Sequence, residues 1–141
     1  METQQKTVLT VESTIQAPVA KVWESWTKPE HITQWCSASD EWHAPKAEND
    51  LRVGGSYTTR MEAKDGSMGF DFGGVYDVVK PQEYIESTMG DGRKITVTFS
   101  SQGNATKVVE TFEAEETNPL EMQQGGWQAI LNNFKQYTES K

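Results

Sequence analysis

The C-terminal stretch constrains this fold more than any other part of the chain. It runs Pro119-Leu120-Glu121-Met122-Gln123-Gln124-Gly125-Gly126-Trp127-Gln128-Ala129-Ile130-Leu131-Asn132-Asn133-Phe134. Trp127, Ile130, Leu131, Phe134 and Tyr137 recur at i, i+3, i+4, i+7 and i+10, one apolar face of a long helix. Asn118 is placed as its N-cap, Pro119 at the first helical position, and Glu121 closes an Asn-x-x-Glu capping box. Gly125 and Gly126 interrupt this helix, at about 1 kcal/mol each relative to alanine. A pair of them just before Trp127 points to something approaching the helix closely, either a strand or a ligand.

An apolar stripe needs a surface to cover, and the preceding sequence supplies one. Lys6 to Gln16 reads as a strand with Leu9, Val11, Ser13 and Ile15 on one face. Ala17-Pro18 opens a short helix through Val19, Val22, Trp23 and Trp26, and a Thr27-x-x-Glu30 capping box starts a second through Ile32 and Trp35. Residues 36–50, which contain Trp42 and Pro45, have no clear period and read as a loop. Alternating strands follow: Val53 to Met61, Met68 to Val79, Tyr84 to Met89, Ile95 to Phe99, and Val108 to Ala114. The turns between them lie at Lys64-Asp65-Gly66-Ser67, Lys80-Pro81-Gln82, Gly90-Asp91-Gly92 and Gln102-Gly103-Asn104. Gly54-Gly55 and Gly73-Gly74 open no helix and precede no Gly-Lys-Ser/Thr, so they read as bends in strands rather than phosphate loops.

The order predicts an α+β fold. A curved antiparallel sheet of about six strands wraps around the long C-terminal helix, with two short helices after the first strand closing the open end. Helix and sheet then meet along a line, a packing that leaves room for an internal cavity. With no repeat, linker or low-complexity tract, the 141 residues read as a single domain, 1–141.

Composition excludes some functions. Net charge is −8 and no Lys/Arg stripe stands out, which argues against nucleic acid and anionic membranes as partners. The start, Met1-Glu2-Thr3-Gln4-Gln5-Lys6, is polar and unlike a signal peptide, and no apolar run approaches the ~20 residues that cross a bilayer. Cys36 is the lone cysteine, so a reducing, cytoplasmic setting is expected. No metal or organic cofactor is indicated, for the chain has neither Cys-x-x-Cys nor His-x-x-x-His.

The motifs together resemble one family. Ala17-Pro18-x-x-x-Val22-Trp23, Pro29-Glu30-x-x-x-x-Trp35, Asn49-Asp50-x-Arg52-x-Gly54-Gly55, Gly69-Phe70-Asp71-Phe72-x-Gly74-x-Tyr76 and Asn118-Pro119 stand in order before Gly126-Trp127-Gln128-x-Ile130-Leu131-x-Asn133-Phe134. In this set the chain resembles the bacterial single-domain activator-of-heat-shock-protein-ATPase homologue-like family, within the START-like, helix-grip superfamily. The resemblance implies a helix-grip sheet with a cavity under the C-terminal helix. Members of the wider superfamily bind lipids, hormones or polyketides, and some are cyclases or hydrolases. The co-chaperones that lend the family its name carry a separate chaperone-binding domain, which is not expected within these 141 residues.

Candidate site residues follow. Trp35, Trp42, Phe70, Phe72, Tyr76, Phe99, Trp127 and Phe134 either line a pocket for an apolar or ring-bearing ligand or form plain core; Met61 and Ile130 join the candidate wall. Glu110 shares a strand face with Val108 and Phe112. It is therefore either a carboxyl facing the cavity, fit to act as acid, base or anchor, or, after a shift of strand phase, solvated or paired with Arg60 or Lys107. Asp71 points opposite to Phe70 and Phe72, which leaves either it or the aromatics on the pocket side. Arg52 beside Asp50 reads as a structural turn element. Cys36, His43 and His31 show no triad or metal-ligand spacing. The leading expectation is binding of a small hydrophobic or amphipathic molecule between sheet and helix, with Trp127 and Phe134 on the helix side and Phe99, Tyr76 and Met61 on the sheet side. The alternatives are an enzyme of cyclase, dehydratase or hydrolase type using Glu110 or Asp71, and a stress-linked partner of a chaperone.

Overall fold

The computed structural model describes residues 7–37 and 39–141. The elements run β1 (Val8–Ile15), α1 (Val19–Thr27), α2 (Pro29–Trp35), β2 (Trp42–Asn49), β3 (Ser56–Ala63), β4 (Gly69–Lys80), β5 (Tyr84–Met89), β6 (Lys94–Gln102), β7 (Ala105–Glu113) and α3 (Leu120–Glu139). The strands form one antiparallel sheet in the order β1-β7-β6-β5-β4-β3-β2. The helix-grip architecture is thus present, with seven strands rather than about six. Lys6, the expected start of β1, and the polar segment 1–5 lie outside the described residues.

The additional strand is β2, in the stretch that reads as a loop. Its alternation is hidden because Pro45 sits at an irregularity in the β2–β3 register between His43 and Lys46. An edge strand tolerates proline, since no neighbour requires the missing N–H. β1 and β2 occupy opposite edges, so α1 and α2, which connect them, pass from one side of the sheet to the other.

Two helix starts differ from the sequence expectation. The N-cap of α3 is Pro119, with helix from Leu120, and Asn118 makes no capping bond. Its N–H instead donates to Glu115 Oε1 at 2.6 Å. Gln123 takes over the anchoring: its Oε1 accepts from Glu115 N–H (2.9 Å), and its Nε2 donates to the carbonyls of Glu115 (3.1 Å) and Asn118 (2.8 Å). At α2 the N-cap is Lys28, and the Thr27 hydroxyl turns back to the Trp23 carbonyl.

Period-two burial sets the concave face. β7 alternates strictly, with Thr106, Val108, Glu110 and Phe112 inside. Val11 and Ile15 of β1, Ile95, Val97 and Phe99 of β6, and Ile85 and Ser87 of β5 complete that face. On β4 a bulge between Tyr76 and Val78 shifts the phase, so Tyr76 and Val79 both pack inward. At Gly73–Gly74 the neighbouring strands come close to β4. A Cβ on Gly73 would stand 2.2 Å from the Tyr57 carbonyl oxygen, and one on Gly74 2.3 Å from that of Thr88. Only glycine fits between backbones this close.

The core is densely aromatic at one end. Phe99 meets Trp23 and Trp26 edge-on at 5.2 and 5.9 Å, and Phe134 meets Trp26 and Trp35 edge-on at 4.9 Å each. Trp35 Nε1–H donates to the Ser25 carbonyl at 2.9 Å, which satisfies the polar end of a buried ring.

Candidate functional site

A cavity of about 700 Å³ lies between the concave sheet and the first half of α3. A space of this size is in the range of small-molecule sites, whereas protein interiors normally pack to crystal-like density. Its helix-side wall is Gln123, Gly126, Trp127 and Ile130. Trp127 stacks on Phe112 at 3.9 Å with planes 9° apart and meets Phe72 edge-on at 5.7 Å, so it is braced from two strands. The Gly125–Gly126 pair does not admit a strand: a Cβ on either would have nothing within 4 Å. Gly125 faces solvent, while Gly126 borders the cavity.

The sheet wall brings together Met61, Phe72 and Tyr76, with Trp35 and Cys36 closing from α2. Phe70 also lines it but is 48% exposed at the mouth, in contact with Trp42 at 5.9 Å. Asp71 points the other way, as its alternation with Phe70 and Phe72 requires. It is exposed, edges only the rim, and lies 3.5 Å from Arg60. Phe99 and Phe134 are fully packed in the aromatic end of the core and are not among the lining residues. Both were expected on the wall. The side chains of α1 that cover them cannot be placed from strand and helix periods alone.

Polar groups inside the cavity are few. Glu110 lies on its wall and is only 9% exposed. Neither Arg60 nor Lys107 reaches it: Arg60 pairs with Glu62 at 2.9 Å, and Lys107 lies 3.8 Å from Glu12 on the other face. Glu110 has no hydrogen-bond or ion-pair partner among the described residues. Burial pushes its carboxyl from the ordinary 4.5 up to about 8, so at neutral pH it holds its proton. The same burial, with the charge of Glu110 adding to it, pushes the Cys36 thiol up to about 12 and leaves it an inert wall group. Tyr57 hydroxyl and Ser87 Oγ share a hydrogen bond at 2.9 Å, and Tyr76 hydroxyl donates to Asn49 Oδ1 at 2.5 Å. The phenols of both tyrosines are raised chiefly by burial.

Tyr57, Ser87 and Gln123 are wall residues that the sequence reading passed over. The signal for the first two was available, since Tyr57 shares strand phase with Met61, and Ser87 with Ile85. Gln123 gave none, because its role depends on the fold of residues 115–118. His43 lies 3.9 Å from Glu62 and His31 Nδ1 is 2.5 Å from the Tyr137 hydroxyl, both outside the cavity. Among the described residues no group of three His, Cys, Asp or Glu stands together as a metal site, and no helix is long and apolar enough to cross a membrane.

Comparison with known proteins matches residues 16–139 to the family model described as Activator of Hsp90 ATPase homolog 1-like protein. The solution structure of an AHSA1-like protein from Aeromonas hydrophila is 41% identical, with 95% of this chain and 93% of that chain covered and a TM-score of 0.89. A solution structure from Cytophaga hutchinsonii is 60% identical over 93% of this chain and 91% of that one, with a TM-score of 0.81. A crystal structure from Chromobacterium violaceum, 23% identical over 94% and 98% of the two chains with a TM-score of 0.85, shares the fold. No curated protein matches the chain.

Proposed function

The chain belongs to the family of Activator of Hsp90 ATPase homolog 1-like proteins, and from that premise we propose that it binds a small hydrophobic or amphipathic molecule between its sheet and α3. The observation that carries this reading is the cavity of about 700 Å³, walled by aromatic rings and holding one buried carboxyl without a protein partner. Apolar burial at roughly 25 cal/mol per Å² supplies most of the affinity, offset by the ligand's loss of freedom. The few polar groups orient the molecule. Amide NMR titration of the labelled protein with a panel of apolar chain and ring compounds tests it. Saturable shifts on β3, β4 and the first half of α3 are expected. Silence across the panel, or shifts scattered over the convex face, would count against it. A chaperone partner would use an exposed surface, and its binding would leave these amides unmoved.

One observation favours a second reading. Glu110 is held protonated by burial, as a general acid must be. Mass spectrometry of the recovered ligand separates the two: chemically unchanged ligand after long incubation supports binding alone.

A further inference from the structure

The cavity's charges are one-sided. Among the described residues that border it, five are acidic, Glu110 within and Glu48, Asp71, Asp91 and Glu115 toward the rim, against the single guanidinium of Arg93. That arginine is already engaged, 2.8 Å from Asp91 and donating to the Glu113 carbonyl. Asp71 and Glu48 have Arg60 and Lys46 beside them, but neither cation is a lining residue. The chain as a whole carries −8. An anionic ligand therefore approaches against the net charge and meets no cation among the described lining residues outside the Arg93–Asp91 pair, whereas a cation is drawn in.

The interior adds an independent observation. Glu110 is nine-tenths buried, lines the cavity and has no partner in the protein. Tyr57 is close enough to feel its charge, and Trp35, stacked with Trp26 at 5.1 Å, Tyr76, 4.9 Å from Tyr57, and Trp127 from α3 line the same cavity. Aromatic faces attract cations, more strongly when water is excluded. A carboxylate among rings is the arrangement that an ammonium group satisfies, by one charge-assisted hydrogen bond and contact with the π faces.

We propose that the preferred occupant is a cationic amphiphile, a ring-bearing apolar body with a protonated amine seated on Glu110. This rests on the cavity being a ligand site, and it names the class of ligand. Before binding, Glu110 carries its proton. On binding, that proton leaves for solvent and the ammonium takes its place as the hydrogen-bonding partner. The other titratable groups that line the cavity are Cys36 from the end of α2, Tyr57 from β3 and Tyr76 from β4, with Glu48 and Asp71 at the rim, Asp91 and Arg93 at the β5–β6 turn and Glu115 before α3. The thiol and phenols are raised away from neutrality and carry no charge there. Val11 and Val97, its register partners on β1 and β6, and the lining residues of α3 nearest Trp127 do not titrate.

Three probes of one shape test it: aminomethyl-anthracene, hydroxymethyl-anthracene and anthracene-carboxylate. Calorimetric titration near pH 7 in two buffers of different protonation enthalpy gives both affinity and proton count. The amine is expected to bind about tenfold tighter than the alcohol and tighter still than the acid, with release of about one proton. Glu110→Gln should lower amine affinity about tenfold, abolish the release, and erase the preference for amine over alcohol. The variant's amide spectrum checks its fold, and Glu110→Leu, apolar and similar in reach, provides a second test should the amide side chain perturb packing. Alcohol or acid binding as tightly as the amine, or amine binding without proton release, overturns the proposal while the cavity stands as a ligand site. Failure of all three probes to bind overturns the proposal together with the reading beneath it.

Discussion

The two halves of α3 meet the same sheet with opposite results. From Leu131 onward the helix is packed: Leu131, Phe134 and Thr138 are at most 1% exposed, and Phe134 is clasped by two tryptophans. Before Ile130 it touches the sheet at its edge, Gln124 and Gln128 donating to β1 carbonyls and Trp127 stacking on Phe112, while Gly126 and Trp127 border open space. One apolar stripe thus serves both as core and as wall. The difference comes from α1, whose Trp23 and Trp26 pack over Phe99 of β6, with Trp26 joining Trp35 of α2 around Phe134. Stability and binding are therefore separable along a single helix.

Substitutions can break or sharpen that separation. Phe134→Ala, in the packed half, should cost about 3–5 kcal/mol by denaturant melting. A loss under about 1 kcal/mol would mean that the packed half is looser than described. Next is the pH dependence. The folded-state value of Glu110, about 8, lies above the ordinary 4.5, so its contribution to stability is fully present below 4.5 and is lost as pH rises through 8. Wild type should lose about 2–4 kcal/mol over that window relative to Glu110→Gln, measured by melts of both at each pH. Parallel curves would show Glu110 to be solvated. Trp127→Ala, in the hollow half, should fold, lose about 1–3 kcal/mol, and weaken ligand binding about tenfold or more. Unchanged affinity would remove Trp127 from the wall. The smallest effect is the most diagnostic: Gly125→Ala has room for its methyl and should stabilise by about 0.5–1 kcal/mol, with affinity unchanged. Destabilisation would restore the idea of a strand pressed against the helix.

Strand phase carried most of what the sequence revealed. Val108, Glu110 and Phe112 face one way because neighbouring hydrogen bonds force a period of two, and that rule needs no tertiary information. The same rule set Asp71 opposite Phe70 and Phe72, although choosing which side was inward needed the sheet. β2 was hidden because an edge strand with a proline and a register irregularity breaks the rule. The allocation of aromatics was the other failure. Phe99 and Trp127 look alike as alternating or periodic residues, but whether a ring ends in core or on a wall depends on where α1 rests. Capping went astray for a related reason: Gln123, several residues into α3, holds the preceding loop by three bonds and displaces the local Asn118 cap.

The crowding at Gly73–Gly74 reaches further than local geometry. With a neighbouring carbonyl just over 2 Å from each missing methyl, any larger residue there would push β4 away from β3 on one side or β5 on the other. The spacing of β4 from both neighbours at this point is held by two hydrogen atoms and cannot drift by small steps. Here a lineage built on this frame can change what it accepts only by exchanging the side chains that face inward. At this part of its wall the chamber behaves as a mould of fixed dimensions whose lining alone is open to selection.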